Sequence, residues 1–317
     1  MISALIAVLS QAAVLLLFSP LIAGTSNTLK ARLQMRRGPG PLQVYRDLYK
    51  LLRKGMVIPE TTSWIFPTTP FVLFSTTLLA GLLIPALSVR APLSLFGDGL
   101  ALVYLLALGR FFLALGGLDA GSPFGGLGSS REMTISAIAE PALMLAVFTV
   151  SLGAGSTNLG NIAQAAIGQS WHFLAPSQLL AFAALFIVLI AETGRIPVDN
   201  PVTHLELTMI HEAMILEYSG PYLALIEWSA VMKQMVLMTL LVNVFFPYGL
   251  SAGWSPLGLL ASVAMFALKI AVLATAVVLV ETGNAKLRLF RVPELLAVAF
   301  VLSTLALIST FLFGSRG

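Results

Sequence analysis

The sequence predicts an all-α polytopic membrane protein with about eight transmembrane helices and one amphipathic helix at the membrane face. Three observations carry this. Of 317 residues, 58% are hydrophobic and 10% are charged, against about a quarter charged in soluble domains. Eight apolar runs, at about residues 2–24, 70–89, 99–118, 134–153, 177–194, 225–246, 257–281 and 293–313, are long enough to cross a bilayer as helices. None of them alternates with the period of a membrane barrel strand.

The first run is too long for the apolar part of a signal peptide and contains no small-residue cleavage site, so it is expected to be a span. Eight of the eighteen Lys and Arg residues follow it, between Lys30 and Lys54. In "RRGPGPLQVYRDLYKLLRKG", Leu42, Tyr45, Leu48, Tyr49 and Leu52 recur at helical spacing, with Arg46, Lys50, Arg53 and Lys54 on the other face. That pattern predicts an amphipathic helix over about residues 41–54, either resting on the membrane or offering a docking surface to a cytoplasmic partner.

With eight spans, Arg131, Arg195, Lys286, Arg288 and Arg291 share the side of those eight basic residues, and Arg90 and Arg316 fall opposite. Basic loops stay cytoplasmic, so both termini are expected on the outer side of a cell (inner) membrane. The formal charge of +4 is thus a topology signal and does not mark nucleic-acid binding. Residues 1–317 read as one membrane domain without a linker. With no cysteine, the chain holds no disulfide, thiolate-bound zinc or cysteine-ligated iron–sulfur cluster.

Charges inside spans cost about 2.5–3.5 kcal/mol each on insertion scales, so each raises a functional question. Arg110 and Glu140 fall at similar depths and are expected to pair. Lys269 lies near the middle of its span, too deep to reach water easily, and becomes a candidate proton carrier. Lys233, nearer the inner face, is expected to snorkel toward it. Two echoing segments, "AETGR" at 191–195 and "VETGN" at 280–284, put Glu192 and Glu281 at equivalent depths. As a set, Glu140, Glu192, Lys269 and Glu281 suggest a proton or ion path.

Five of the fourteen acidic residues crowd into "ETGRIPVDNPVTHLELTMIHEAMILEYSG": Glu192, Asp199, Glu206, Glu212 and Glu217. Pro197 and Pro201 are expected to stop the preceding span. Asp199 or Asn200 then caps a new helix over about residues 202–217, with Leu205, Met209, Ile210, Ala213 and Met214 on one stripe. The acidic loop as a whole runs over about residues 195–224. His204 and His211 stand seven residues apart, ~10 Å along a helix, which does not match a zinc motif. "SPFGGLGSSRE" (122–132) lacks both phosphate-loop signatures and reads as a tight connection.

Several blocks together resemble a known family. They are "RRGPGPLQVYRDLYKLL", "RFFLALGGLDAGSPFGGLGSSRE", the "EP" at 140–141, "ETGRIPVD", "EYSG" and "ETGNAKLRL". Over essentially its full length the chain resembles subunit 1 of respiratory complex I. The blocks around "YRDLYKL" and "LDAGSPFGGLGSSRE" point to the branch formed by membrane subunits of nickel–iron hydrogenases, such as formate hydrogenlyase subunit 4 and hydrogenase-4 component C.

The resemblance implies a non-catalytic subunit that links a cytoplasmic redox arm to proton or ion translocation. The nickel–iron centre and iron–sulfur clusters would sit in partner subunits, and antiporter-like membrane subunits would lie alongside. Residue by residue, Glu140, Glu192, Asp199, Glu206 and Glu217 stand where the family keeps carboxylates. Together with Glu212, Lys269 and Glu281 they form the candidate path. Arg36, Arg37, Arg46, Asp47, Lys50, Arg110, Arg131 and Arg195 are candidates for structure or docking. Val202 and His204 replace acids usual after "PVD", which counts against a bound quinone. The rival readings are the complex I subunit itself, contributing to a quinone site, and a stand-alone ion transporter or antiporter component.

Overall fold

The structure is a computed structural model that describes residues 2–89, 91–93, 97–168, 175–199, 209–250 and 256–314. Among these residues the regular elements are helices: α1 (Ile2–Leu33), α2 (Gln43–Arg53), α3 (Ile65–Leu83), α4 (Gly99–Asp119), α5 (Pro123–Ala154), α6 (Leu159–Gly168), α7 (Pro176–Glu192), α8 (His211–Ile215), α9 (Gly220–Phe245), α10 (Pro256–Gly283) and α11 (Val292–Gly314). Seven of them, α1, α3, α4, α5, α9, α10 and α11, are long and apolar enough to cross a membrane. α7 has 17 residues, ~25 Å at 1.5 Å per residue, the short limit for a span. It packs against α5, α9 and α11. The protein is a multi-pass, all-α membrane protein.

α9 is the axis of the bundle. Every residue from Gln234 to Phe245 is buried, as a helix apolar on all sides requires. α10 and α11 instead keep Leu268, Val272, Val301 and Phe311 exposed, the outward apolar face that a lipid environment favours.

Two of the prolines inside helices leave carbonyls that a side chain on another element satisfies, because proline has no N–H to offer the residue four back. In α1, Pro20 orphans the Leu16 carbonyl, and Trp228 Nε1 of α9 donates to it at 3.2 Å. In α3, Pro70 orphans the Phe66 carbonyl, which accepts from the Tyr218 hydroxyl at 3.2 Å. Tyr218 also stacks on the Phe66 ring with centroids 4.0 Å apart. Burial holds its phenol well above the ordinary tyrosine value, so the hydroxyl keeps its proton and remains a donor. Unpaired carbonyls cost several kcal/mol in hydrocarbon, so these two bonds are what make the prolines tolerable.

Three local expectations are corrected. "SPFGGLGSSRE" is not a loop: Ser122 Oγ accepts from Gly125 N at 3.1 Å, Pro123 opens the helix, and α5 runs on without a break past Pro141. A side chain at Gly128 would meet the Ala213 methyl and the Ile210 carbonyl, each at 2.9 Å, so glycine there admits α8 against α5. α7 ends at Glu192, before either proline. Gly194, at φ +59°, takes the left-handed cap, with Gly194 N bonded to Ala191 O and Arg195 N to Ile190 O, each at 3.1 Å. That paired pattern terminates helices by itself. The helix expected over 202–217 lies partly outside the described residues, as do His204 and Glu206. Within them it is limited to α8, and Met209, Ile210, Ala213 and Met214 are buried.

Candidate functional site

The left-handed cap at Gly194 sets the geometry of the site. It places Glu192 in the last turn of α7 and turns Arg195 back across the end of the bundle. The Glu192 side chain is 4% exposed, and its Oε2 accepts from Lys233 Nζ of α9 at 2.8 Å and also from Arg110 Nη2 of α4. Arg110 reaches two further carboxylates on α5: Glu140 at 2.8 Å and Glu132, from Nε, at 3.5 Å. Three carboxylates therefore share one buried guanidinium, and the most enclosed of them shares a second cation. Burying these charges is tolerable because each is paired.

Arg110 Nε has no hydrogen-bond partner among the described residues. It borders a cavity of about 70 Å³ lined by Arg110, Glu132, Glu192, Asp199, His211 and Lys233, among others. A water needs roughly 10–15 Å³ measured this way and two to four polar partners, so the cavity suits a few waters.

A second group of charges lies beside the first. Glu281, at the end of α10, holds Arg195 Nη1 at 2.9 Å and Lys30 Nζ of α1 at 3.3 Å. Arg195 Nη2 also donates to Gln234 Oε1 at 2.7 Å. Lys233 and Gln234, adjacent on α9, thus carry one contact to each group. Asp199 pairs with Lys286 at 2.9 Å and accepts from Ile210 N at 3.3 Å. The helix start expected after Asp199 or Asn200 lies outside the described residues; within them Asp199 ties the acidic loop to the α10–α11 connection.

A larger cavity, of about 700 Å³, opens between α1, α2 and α9. Lys30, Asp47, Arg195, Asp199, His211, Glu212, Glu227 and Glu281 are on its wall. It shares Thr193, Gly194, Asp199, His211 and Ala230 with the smaller one. Glu227 of α9 faces Glu212, His211 and Asp47.

The structure thus brings together Glu140, Glu192 and Arg110, and sets Arg195, Asp199, Glu212 and Glu281 on the adjoining wall. Glu217, Arg36, Arg37, Arg46 and Lys50 are exposed. Arg131 instead docks the acidic loop, donating to Met209 O at 2.8 Å. Lys233 does not snorkel, because Glu192 is within reach inside the bundle. Lys269 stands apart from all of these. It donates to Phe246 O at 2.6 Å and Asn243 Oδ1 at 3.3 Å, at the C-terminal end of α9, where a cation is favoured. Asn243 is ten residues from Lys233, ~15 Å along the helix.

Sequence reasoning missed Glu132, Lys30, Lys286, Gln234 and Glu227. The polar pair "KQ" at 233–234 and the lone acid in "LIEWSA", both in an otherwise apolar run, were the available signals. Among the described residues, no group of three or more metal-ligating side chains is placed to hold an ion.

A family model described as NADH dehydrogenase matches residues 5–312. The chain belongs to this family, that of complex I subunit 1. Within the family it is 36% identical to formate hydrogenlyase subunit 4 of Escherichia coli (strain K12), over 95% of this chain and 97% of that one. It is 37% identical to hydrogenase-4 component C of the same strain, over 94% of this chain and 93% of that one. A subunit of the NADH-quinone oxidoreductase of Caulobacter vibrioides is more distant, at 30% identity over 71% of this chain and 66% of that one. The family fold recurs in a chain of the membrane-bound sulfane sulfur reductase, an archaeal respiratory membrane complex. The TM-score is 0.82 at 21% identity, over 95% of this chain and 98% of that one.

Proposed function

We propose that the chain anchors a hydrogenase-type oxidoreductase of several subunits in the membrane, and that it carries protons between a cytoplasmic redox arm and neighbouring ion-translocating subunits. The observation that carries this reading is the continuous line from the large cavity, through the smaller one, to the Arg110–Glu192–Lys233 group and on to Glu140. Glu140 lies midway along α5, and its side chain is 34% exposed. A carboxylate facing lipid there would cost several kcal/mol, so a polar membrane partner against that face is the favoured arrangement. The greater likeness to the two hydrogenase relatives supports the hydrogenase type over a complex I subunit.

The nickel–iron centre and iron–sulfur clusters belong to partners in this reading, since the chain has no cysteine to ligate them. A quinone fits this chain poorly. Binding sites for large apolar ligands are mostly apolar, with few polar groups, whereas eight of the 22 residues on the wall of the large cavity are ionisable. Water fits that wall better. Protons would enter it from the cytoplasm and load Glu227, Glu212 or Asp199, then pass by water to Glu192. The basic, exposed Arg36, Arg37, Arg46 and Lys50 face the same side and supply the docking surface for the redox arm. Both termini then lie on the outer side of the cell membrane.

The test is purification of the native complex in mild detergent. Co-purification of a nickel–iron subunit with iron–sulfur proteins is expected. A flavin-bearing NADH-oxidising module in its place would make the chain a complex I subunit, and isolation of the chain alone would overturn the reading.

A further inference from the structure

Glu281 is buried, with its side chain 3% exposed, and stands between two cations on different elements: Lys30 of α1 and Arg195 of the loop after α7. All three line the large cavity. Glu281 Oε2 lies 3.3 Å from Lys30 Nζ, an ion pair without hydrogen-bond geometry. Arg195 links outward from this point. Its second amino group donates to Gln234 at 2.7 Å, and the next residue back on α9, Lys233, holds Glu192 at 2.8 Å. The two cavities therefore communicate electrostatically along a line of side chains as well as through a shared wall. The echo between "AETGR" and "VETGN" takes a physical form here. Each glutamate ends a helix and is shared by two cations from other elements.

We propose that Glu281 is a positioning residue that couples the charge of the large cavity to the Arg110–Glu192–Lys233 group. It rests on the proton-carrying reading above. When a positive charge enters the cavity or Glu281 is neutralised, the hold on Arg195 weakens. The guanidinium then shifts its weight to Gln234, and the field at Lys233 changes. α9 transmits the change because its next eleven residues are packed on all sides and do not yield. Coupling of this kind between two sites is typically 5–150-fold in an equilibrium.

The test uses the native complex in inverted membrane vesicles, reading protons moved per hydrogen turned over with a pH-sensitive dye. Glu281→Gln keeps the shape and removes the charge, and is expected to lower that ratio by about fivefold or more. The exchange of Lys30→Glu with Glu281→Lys restores the α1–α10 pair but sets a cation beside Arg195. It is expected to restore assembly on native gels and not the proton ratio. A restored ratio would show a simple structural tie and overturn the proposal, as would an unchanged ratio in Glu281→Gln. If Glu281→Gln does not assemble, Gln234→Met, which cuts the same line without breaking an ion pair, decides by the same ratio. Glu192→Gln is run alongside. Loss there with none in Glu281→Gln overturns only the role of Glu281, whereas no loss in either also removes the proton-carrying reading.

Discussion

Lys233 Nζ of α9 lies 2.8 Å from Glu192 Oε2, the same oxygen that Arg110 of α4 binds. One carboxylate oxygen thus joins three helices, and the two cations on it are not equivalent. Arg110 also pairs with Glu132 and Glu140, while among the described residues Lys233 forms an ion pair with Glu192 alone.

This asymmetry predicts different outcomes for the two cations. Arg110→Met strands Glu132 and Glu140 and leaves Glu192 to Lys233, and is expected to cost about 3–5 kcal/mol, the usual penalty for breaking a buried pair. Lys233→Met leaves Glu192 paired with Arg110, so the fold should persist while proton movement falls. Thermal midpoints in detergent, set beside vesicle acidification, separate the two; equal stability losses would contradict the asymmetry.

Trp228→Phe removes the donor to the Leu16 carbonyl and is expected to destabilise by about 1–3 kcal/mol. Pro20→Ala supplies the missing backbone N–H, so the Trp228→Phe penalty should shrink in that background. A double-mutant cycle on unfolding in detergent measures the coupling, and strictly additive effects would refute the explanation.

Ala230 lines both cavities. Ala230→Phe is expected to fill the passage and slow proton movement roughly tenfold by excluding water, with little change in assembly. An unaffected rate would mean that protons reach Glu192 by another route.

Lys269 donates a charge-assisted bond to the Phe246 carbonyl at the end of α9. Lys269→Met should therefore lower stability by about 1.5–3 kcal/mol and leave the proton ratio unchanged, because the lysine stands outside the line from the cavity to Glu140. A lost ratio with intact stability would return Lys269 to the path.

The helical membrane class, the positions of most apolar runs and the crowding of carboxylates after α7 were legible in the sequence. So was the Arg110–Glu140 pair, since depth along two helices follows from counting residues at a fixed rise. Other partnerships were not. Lys233 pairs with Glu192, forty-one positions away, because α7 and α9 pack side by side, and no periodicity within either helix records that adjacency. Lys269 looked equivalent to the other intramembrane charges until its contacts placed it at a helix end.

Sequence by itself determined the environment of this protein: apolar runs of bilayer length, a one-sided basic loop, and a chain without thiolates for metal. Only the tertiary structure decided which charges meet. Hydropathy is a local property summed along the chain, whereas an ion pair depends on the rotation and register of two helices fixed by packing. Here the cap at Gly194 and the burial of α9 set that register, and they turned two echoing glutamates into the joined groups around Glu192 and Glu281.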